Sequence, residues 1–234
     1  MIESSKTAHT VVLLHGLGRT SRSMQPLATA LSRQGYRVLN LRYPSRTAPT
    51  ADLALGIAAQ IEREAPDGCL HFVTHSLGGI LLRVAVAVGA IPLERIARVV
   101  MLGPPNGGSE LVDVLTSRPC LATVYRRVAG PAGAELGVAK NSVPDRLPPV
   151  TFELGVIAGS RSVNPVFSAL IPRPNDGKVS VARTVVKGMR DMLVLPYPHP
   201  LLMRAPVVIE HTLQFLETGK FDQVAERRMS LNAC

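Results

Sequence analysis

The residues with the clearest chemical potential form the segment Thr74-His-Ser-Leu-Gly78, between an apolar run and a helix-like stretch. A tight strand-to-helix turn there would lift the Ser76 hydroxyl above a sheet, as in a G-x-S-x-G nucleophile elbow. The residues two before and two after such a serine must be small. Gly78 meets this requirement, whereas Thr74 departs from the usual glycine. A helix starting at Leu77 would favour a developing oxyanion at its N-terminus. A simple turn that happens to contain serine remains the alternative.

A second glycine-containing turn, His15-Gly-Leu-Gly18, directly follows the first apolar run. In a parallel sheet this turn would lie beside the Ser76 segment, where it can aim the Leu17 N–H into the space above the serine. Together with the Leu77 N–H it would form a two-donor oxyanion hole. The two segments therefore favour a nucleophilic serine over a structural one.

A dinucleotide-binding loop is the competing interpretation of Gly16-x-Gly18, because such loops also follow a strand. The third glycine of that motif is replaced by Ser21, and the second predicted strand ends in Leu41-Arg42 without an acidic ribose partner. The sequence therefore argues against a nucleotide site.

With these motifs in place, the sequence resembles the α/β-hydrolase superfamily, and within it the small bacterial lipase- and esterase-like serine hydrolases. The motifs that carry the resemblance are His15-Gly-Leu-Gly18, His75-Ser-Leu-Gly-Gly79, Pro104-Pro-Asn-Gly-Gly-Ser109 and Asn175-Asp-Gly-Lys-Val-Ser180. The resemblance implies a Ser–Asp–His triad and no cofactor. It also implies a six-stranded sheet in which the first and third strands are neighbours and their helices leave on opposite faces.

His199 is the candidate base, since among the histidines it alone follows the last predicted strand in a flexible turn. The other histidines are His9, His15, His71, His75 and His211. We expect His75 to project away from Ser76, because neighbouring strand residues face opposite sides, and His15 to organise the oxyanion turn. His71 and His75 are too far apart along a strand to share one ion, so no metal is expected. The alternative for His199 is a histidine that merely occupies a proline-rich turn.

Asp176 is the candidate triad acid, and Asp191 is its competitor. Both lie between Ser76 and His199 in chain order. Asp191 immediately precedes a predicted strand and so would lie at its N-terminal end, away from the serine. Asp176 follows a strand, at the end of the sheet where ligands bind. Asn-Asp-Gly is also a turn signal by itself, which is the alternative role for Asp176.

The elements that must position these residues alternate along the chain, which predicts an α/β fold with a parallel sheet covered by helices on both faces. The predicted strands are residues 10–15, 36–42, 69–75, 96–102, 150–158 and 192–195. The predicted helices are residues 23–34, with Ser23 as N-cap, 52–65, 77–88 and 206–218. The sheet is thus expected to be mostly parallel, with about six strands in a single domain over residues 1–234.

Residues 105–149 interrupt this alternation with prolines, glycines and short helix-like pieces. They leave the C-terminal end of the fourth strand and are expected to form a helical cap or lid insertion. Their apolar residues recur at spacings of three and four, as in amphipathic helices. We expect Leu121 and Val124 to line an acyl pocket beneath this cap. The alternative is that these helices pack on the sheet edge and contact no substrate.

Composition supports a folded domain: hydrophobic residues make up 46% and charged residues 18%, which argues against disorder. The net charge of +9 predicts at most weak attraction to anionic surfaces. The basic residues are scattered without interleaved aromatics, which argues against nucleic-acid binding. No apolar run is long enough to cross a bilayer. The start lacks the apolar core of a signal peptide, so we expect a cytoplasmic protein with reduced thiols.

These observations predict hydrolysis of carboxylic esters through an acyl-enzyme on Ser76, with a small-molecule acyl ester as substrate. An acyltransferase, a thioesterase or an amidase could use the same triad. From a different class, a non-catalytic ligand-binding protein could retain the fold without the chemistry.

Overall fold

Six apolar segments pair into one parallel sheet in the computed structural model, which describes residues 9–221. The strands are β1 (Thr10–Leu14), β2 (Arg37–Asn40), β3 (Leu70–His75), β4 (Ile96–Leu102), β5 (Glu153–Gly159) and β6 (Asp191–Leu195). Their order across the sheet is β2-β1-β3-β4-β5-β6, and every pairing is parallel. All residues of β1 and β3 are buried, as expected for strands covered on both faces.

Helices cover both faces of this sheet. They are α1 (Gln25–Arg33), α2 (Thr50–Glu64), α3 (Leu77–Ala87), α4 (Glu110–Thr116), α5 (Pro119–Ala134), α6 (Val143–Arg146), α7 (Pro165–Ala169), α8 (Val181–Thr184) and α9 (Pro206–Thr218). Alternate strand residues face opposite layers: Val11 packs in the core with α1 and α9, and Val12 packs in the core with α2 and α3. The parallel α/β architecture, the adjacency of β1 and β3, and the departure of α1 and α3 on opposite faces are confirmed.

The predicted N-cap role of Ser23 is wrong. Ser23 lies inside a 3-10 turn, Ser21–Met24, and α1 begins only at Gln25. The Ser23 hydroxyl donates to the carbonyl oxygen of Thr20 at 2.8 Å, so it is directed back toward the turn instead of toward the helix. The local sequence contains a good capping residue, but the preceding turn uses it.

Helix α2 begins at Thr50, two residues before the predicted start. The backbone N–H and the hydroxyl of Thr50 both donate to the Glu135 carboxylate, at 2.9 and 2.7 Å. An acceptor at a helix N-terminus satisfies N–H groups that have no partner within the helix. Since Glu135 is 85 residues away in sequence, no local pattern could reveal this cap.

The segment after β4 carries α4, α5 and α6 and is held to the sheet layer by a buried arginine. Arg83 in α3 donates to the carbonyl oxygens of Asn106, Leu147 and Pro148. These acceptors stand near the two ends of the segment, so one guanidinium joins both ends to α3. Among the described residues, no helix combines the length and apolar character needed to span a membrane.

Helix α5 is interrupted at Gly130, where the backbone adopts φ 71° and Pro131 starts the next helical turns. A Cβ at Gly130 would lie 1.9 Å from the carbonyl oxygen of Arg46. Only glycine permits both this positive φ and this close approach. The break therefore fixes α5 against the loop between β2 and α2.

Candidate active site

Ser76 occupies a strained turn between the end of β3 and the start of α3. Its backbone has φ 53° and ψ −120°, a conformation that is uncommon for any residue except glycine. The Ser76 N–H donates to the carbonyl oxygen of Leu102 at 2.9 Å. A Cβ on Gly78 would lie 2.6 Å from the carbonyl oxygen of Leu14, which explains why a small residue is required there. The local geometry is that of a nucleophile elbow.

His199 and Asp176 form a buried pair beside this turn. His199 begins a 3-10 turn after β6, and its Nδ1 lies 2.6 Å from Asp176 Oδ2, with side-chain exposures of 3% and 1%. The other carboxylate oxygen of Asp176 accepts the backbone N–H groups of Lys178 and Val179, each at 2.9 Å. These contacts orient the carboxylate toward His199 Nδ1, which leaves Nε2 as the imidazole nitrogen available for chemistry.

Asp191, the competing acid, is engaged elsewhere. Its Oδ1 accepts the backbone N–H of Met192 and its Oδ2 accepts that of Phe221, both at 2.8 Å. It stands at the first residue of β6, at the opposite end of the strand from His199. The structure thus brings Asp176 to His199 and leaves Asp191 at the N-terminal end of β6, away from the serine.

The turn after β1 lies against the serine. A Cβ on Gly16 would be 3.2 Å from Ser76 Cβ and 2.7 Å from His75 Nδ1, so the backbone approaches more closely than a side chain would permit. Leu17 lines the same cavity as Ser76 and His199. The turn is therefore adjacent to the space above the serine, as the oxyanion-hole hypothesis requires.

Buried aromatic and polar contacts hold this turn in place. The His15 ring stacks on the Tyr43 ring with centroids 4.0 Å apart, and the Tyr43 hydroxyl donates to the His15 carbonyl oxygen. The Gly18 N–H donates to Ser45 Oγ at 3.0 Å. Burial lowers the pKa of His15, which favours the neutral form of this imidazole. His15 thus packs behind the turn, consistent with an organising role.

His75 does not project away from the site, contrary to the sequence-based expectation. Its Nε2 lies 3.1 Å from the His199 carbonyl oxygen, and the two imidazole centroids are 4.8 Å apart. The alternation of side chains holds only while the backbone stays extended, and Ser76 has left that conformation. Burial, followed by the nearby His199, lowers the pKa of His75 well below its ordinary value. Its neutral ring donates from Nε2, because the carbonyl oxygen can only accept.

A cavity of about 430 Å³ opens above Ser76 and His199. Its wall is mainly apolar and comes from the segment after β4, namely Leu111, Val112, Leu115, Tyr125, Val128, Ala129 and Leu136. Phe167 from α7 and Val179 from the Asp176 loop extend this apolar lining. Three cationic side chains, Arg19, Arg46 and Lys178, line the same cavity. The serine therefore faces a space lined both by apolar side chains and by three cations.

Leu121 and Val124 do not line this cavity, so their prediction as pocket residues is wrong. Both are exposed, by 39% and 61%. The cavity contacts from α5 come instead from Tyr125, Val128 and Ala129. The apolar spacing indicated a helix correctly, but it did not specify which part of that helix reaches the serine.

The described residues contain no group of three His, Cys, Asp or Glu side chains placed as metal ligands. His71 packs near the rings of His9 and Tyr36 on the strand's N-terminal side. Burial, with the charges of His9 and Arg98, lowers the pKa of His71 to about 4.

Comparisons with known proteins agree with this architecture. The model of the alpha/beta hydrolase family matches residues 11–229, and the chain belongs to this family. The structure is similar to the Bacillus licheniformis lipase BlEst2 in mature form, with 16% identity and a TM-score of 0.70, covering 91% of this chain and 93% of that one. No curated protein matches the sequence.

Two further solved structures share the fold. Phospholipase PlaB from Legionella pneumophila is 17% identical with a TM-score of 0.67, covering 91% of this chain and 60% of that one. The metagenomic carboxyl esterase MGS0156 is 20% identical with a TM-score of 0.61, covering 85% of this chain and 66% of that one. At these identities the likeness establishes the common fold.

Proposed function

We propose that this protein is a serine hydrolase that cleaves carboxylic esters through an acyl-enzyme on Ser76. The observation that carries the proposal is the buried 2.6 Å contact between His199 Nδ1 and Asp176 Oδ2 beside a serine at φ 53°. A nucleophile, a base and an acid that orients the base are the parts of a catalytic triad. They follow β3, β6 and β5 respectively, and so meet at the C-terminal edge of the sheet.

In the first half of the reaction, Ser76 Oγ attacks the acyl carbonyl carbon while His199 Nε2 takes the hydroxyl proton. Asp176 stabilises the resulting imidazolium through Nδ1. The N–H groups of Leu17 and Leu77 hold the oxyanion. Leu77 is the first residue of α3, and this position supports its role as a donor because N–H groups in the first turn lack partners within the helix. The C–O bond then breaks, and the alcohol leaves with the proton from His199.

In the second half, water attacks the acyl-enzyme carbonyl and gives one proton to His199 Nε2. The tetrahedral intermediate collapses, the bond to Ser76 Oγ breaks, and the proton returns to Ser76. The carboxylic acid is released and the enzyme is regenerated. Every step uses groups of the chain and one water molecule.

The apolar wall of the cavity is evidence that the part of the substrate lying against it is an acyl chain. We propose that residues 105–149 act as a cap over the serine, because their side chains supply most of that wall. Lipases and a carboxyl esterase among the structural neighbours support carboxylic esters as the first substrates to test. Thioesters, amides and acyl transfer to another acceptor are alternatives for the same triad.

A fluorophosphonate probe tests the nucleophile directly. The wild-type protein should be labelled on the peptide that contains Ser76, and Ser76→Ala should abolish both labelling and hydrolysis of nitrophenyl octanoate. Ser109→Ala is the matched control, because Ser109 lines the same cavity while its hydroxyl donates to the Lys178 carbonyl oxygen. Labelling that persists in Ser76→Ala, or is lost only in Ser109→Ala, would contradict the proposal. A wild-type protein that neither reacts nor hydrolyses esters would indicate a ligand-binding function instead.

A further inference from the structure

Three cationic side chains meet at the cavity although they come from distant parts of the chain. Arg19 follows β1, Arg46 precedes α2, and Lys178 lies two residues after Asp176. All three line the cavity that contains Ser76, and no Asp or Glu is among its lining residues. Each of the three is exposed to solvent, so an entering ligand can reach them.

Three carboxylates of the segment after β4 have other partners, and Asp176, whose charge acts on Lys178, is bound to His199. Glu110 forms an ion pair with Arg183 at 3.1 Å and accepts the Ser180 hydroxyl. Asp113 accepts the backbone N–H of Val138, and Glu135 accepts from Thr50. No ion pair found among the described residues involves Arg19, Arg46 or Lys178. The cavity thus has three positive charges and no internal counter-charge from a lining side chain.

Arg19 and Lys178 are close enough to influence each other. Partial withdrawal from water and the neighbouring charge of Arg19 lower the pKa of Lys178, against an opposing effect of Asp176. Lys178 and Arg19 also contribute, after burial and His199, to the lowered pKa of His75. Arg46 is held by an Nη1 contact of 3.4 Å to the Val128 carbonyl oxygen. An anion bound among them would relieve this repulsion.

We propose that the preferred ester carries an anionic group, such as a phosphate, on its alcohol, and that Arg19, Arg46 and Lys178 bind this group. The inference rests on the proposed function of Ser76. The acyl chain is apolar and fits the wall formed by residues such as Leu111 and Leu115, so the charge complementary to the cations belongs to the alcohol. Guanidinium groups suit this role because they bind phosphate and carboxylate oxygens in pairs.

The test compares 1-octanoylglycerol with 1-octanoylglycerol 3-phosphate, which share the same ester bond and acyl chain. The wild-type protein should hydrolyse the phosphorylated ester with kcat/KM about tenfold higher, and added salt should reduce this preference by screening the charges. Arg19→Gln and Lys178→Gln should each reduce the preference about twofold to fivefold, the range expected for one partly exposed ionic contact. Arg126→Gln is the matched control: this exposed arginine of α5 does not line the cavity, and its loss should leave both rates unchanged.

The outcomes separate this inference from the proposed function. If the wild-type protein hydrolyses both esters equally, or if Arg126→Gln reduces the preference as much as Arg19→Gln, the inference is overturned and the esterase function stands. A further outcome is that inorganic phosphate inhibits hydrolysis of the neutral ester while the wild-type protein shows no preference for the phosphorylated ester. That result would indicate that the cations bind a free anion, and it would also overturn the inference. If neither ester is hydrolysed and the fluorophosphonate does not label Ser76, the proposed function itself fails.

Discussion

His75 Nε2 lies 3.1 Å from the backbone carbonyl oxygen of His199. The same imidazole contacts the turn after β1 on its other side, since a Cβ on Gly16 would reach within 2.7 Å of His75 Nδ1. One neutral, buried ring therefore spans the distance between the proposed oxyanion turn and the proposed base. Displacing this ring would disturb two parts of the proposed catalytic site together.

Gly16→Ala tests this arrangement. The added methyl group would meet His75 Nδ1 and Ser76 Cβ at 2.7 and 3.2 Å, so the turn must move. We expect kcat/KM for nitrophenyl octanoate to fall about 100-fold, the cost of a small misplacement of reacting groups, with a stability loss of about 1–3 kcal/mol. Gly56→Ala in α2 is the control, because its Cβ would meet nothing within 4 Å. Gly16→Ala with more than half of the wild-type kcat/KM would contradict the close approach.

Substitution of the two competing carboxylates separates a catalytic acid from a structural one. Asp176→Asn should reduce kcat about 10³- to 10⁴-fold, because an amide cannot hold the imidazole in the required tautomer or stabilise its protonated form. Asp191→Asn should leave kcat nearly unchanged and cost about 1 kcal/mol of stability through its weakened contact with Phe221. Steady-state kinetics and urea unfolding of both variants give the comparison. Equal losses of kcat would remove Asp176 from the triad.

The apolar wall predicts a dependence on acyl chain length. Each methylene buried against it contributes about 0.8 kcal/mol, so kcat/KM of nitrophenyl esters should rise from acetate toward octanoate until the cavity is full. Leu115→Asp should lower the octanoate-to-acetate ratio about tenfold or more, because it places a charge in the wall. Leu121→Asp makes the same change at an exposed position outside the cavity and should leave the ratio unaltered. A flat chain-length profile would contradict an acyl pocket.

The buried His71 predicts a loss of stability in acid. Its pKa is lowered to about 4 from about 6.5 in the unfolded chain, so the unfolded state binds the proton more readily. The contribution of this neutral ring is complete above pH 6.5 and declines as the pH falls toward 4. Between pH 7.5 and 5 this residue alone should cost about 2 kcal/mol. Urea unfolding at both pH values should show a smaller decline for His71→Gln than for the wild-type protein; an unchanged decline would contradict the assignment.

The sheet and its connections could be predicted from local sequence because each element carries its own pattern. The bounds of β4 (Ile96–Leu102) and α9 (Pro206–Thr218) agree with the prediction. A compact apolar run, and a helix that begins at Pro206 and ends before Gly219, are both defined by neighbouring residues. Edge strand β2 is shorter than predicted, at Arg37–Asn40. It pairs only with β1 among the described strands. The residues at which β2 begins and ends therefore depend on pairing with that one strand as well as on apolar character.

The parts of the site that could not be predicted depend on tertiary geometry. His75 and Ser76 reach the same cavity because Ser76 has a positive φ. A pattern of alternating strand residues does not predict this change of backbone direction. The exclusion of Leu121 and Val124 from the cavity follows from how α5 is seated, which the contact between Gly130 and Arg46 helps to fix. Asp176 and His199 could be selected by chain order and strand ends, whereas their 2.6 Å contact requires β5 and β6 to be paired.

The placement of β6 at one edge of the sheet has a consequence for how the protein loses activity on heating. Ser76 follows β3, which is paired on both sides, whereas His199 follows β6, which is paired only with β5 among the described strands. Edge elements open locally at a lower free-energy cost than central ones. Fraying of β6 would carry the base away from a serine that stays in position, so reversible thermal inactivation should precede melting of the domain. We therefore expect the temperature limit of the proposed activity to depend on this peripheral strand, with the central strands still folded at temperatures where activity is already lost.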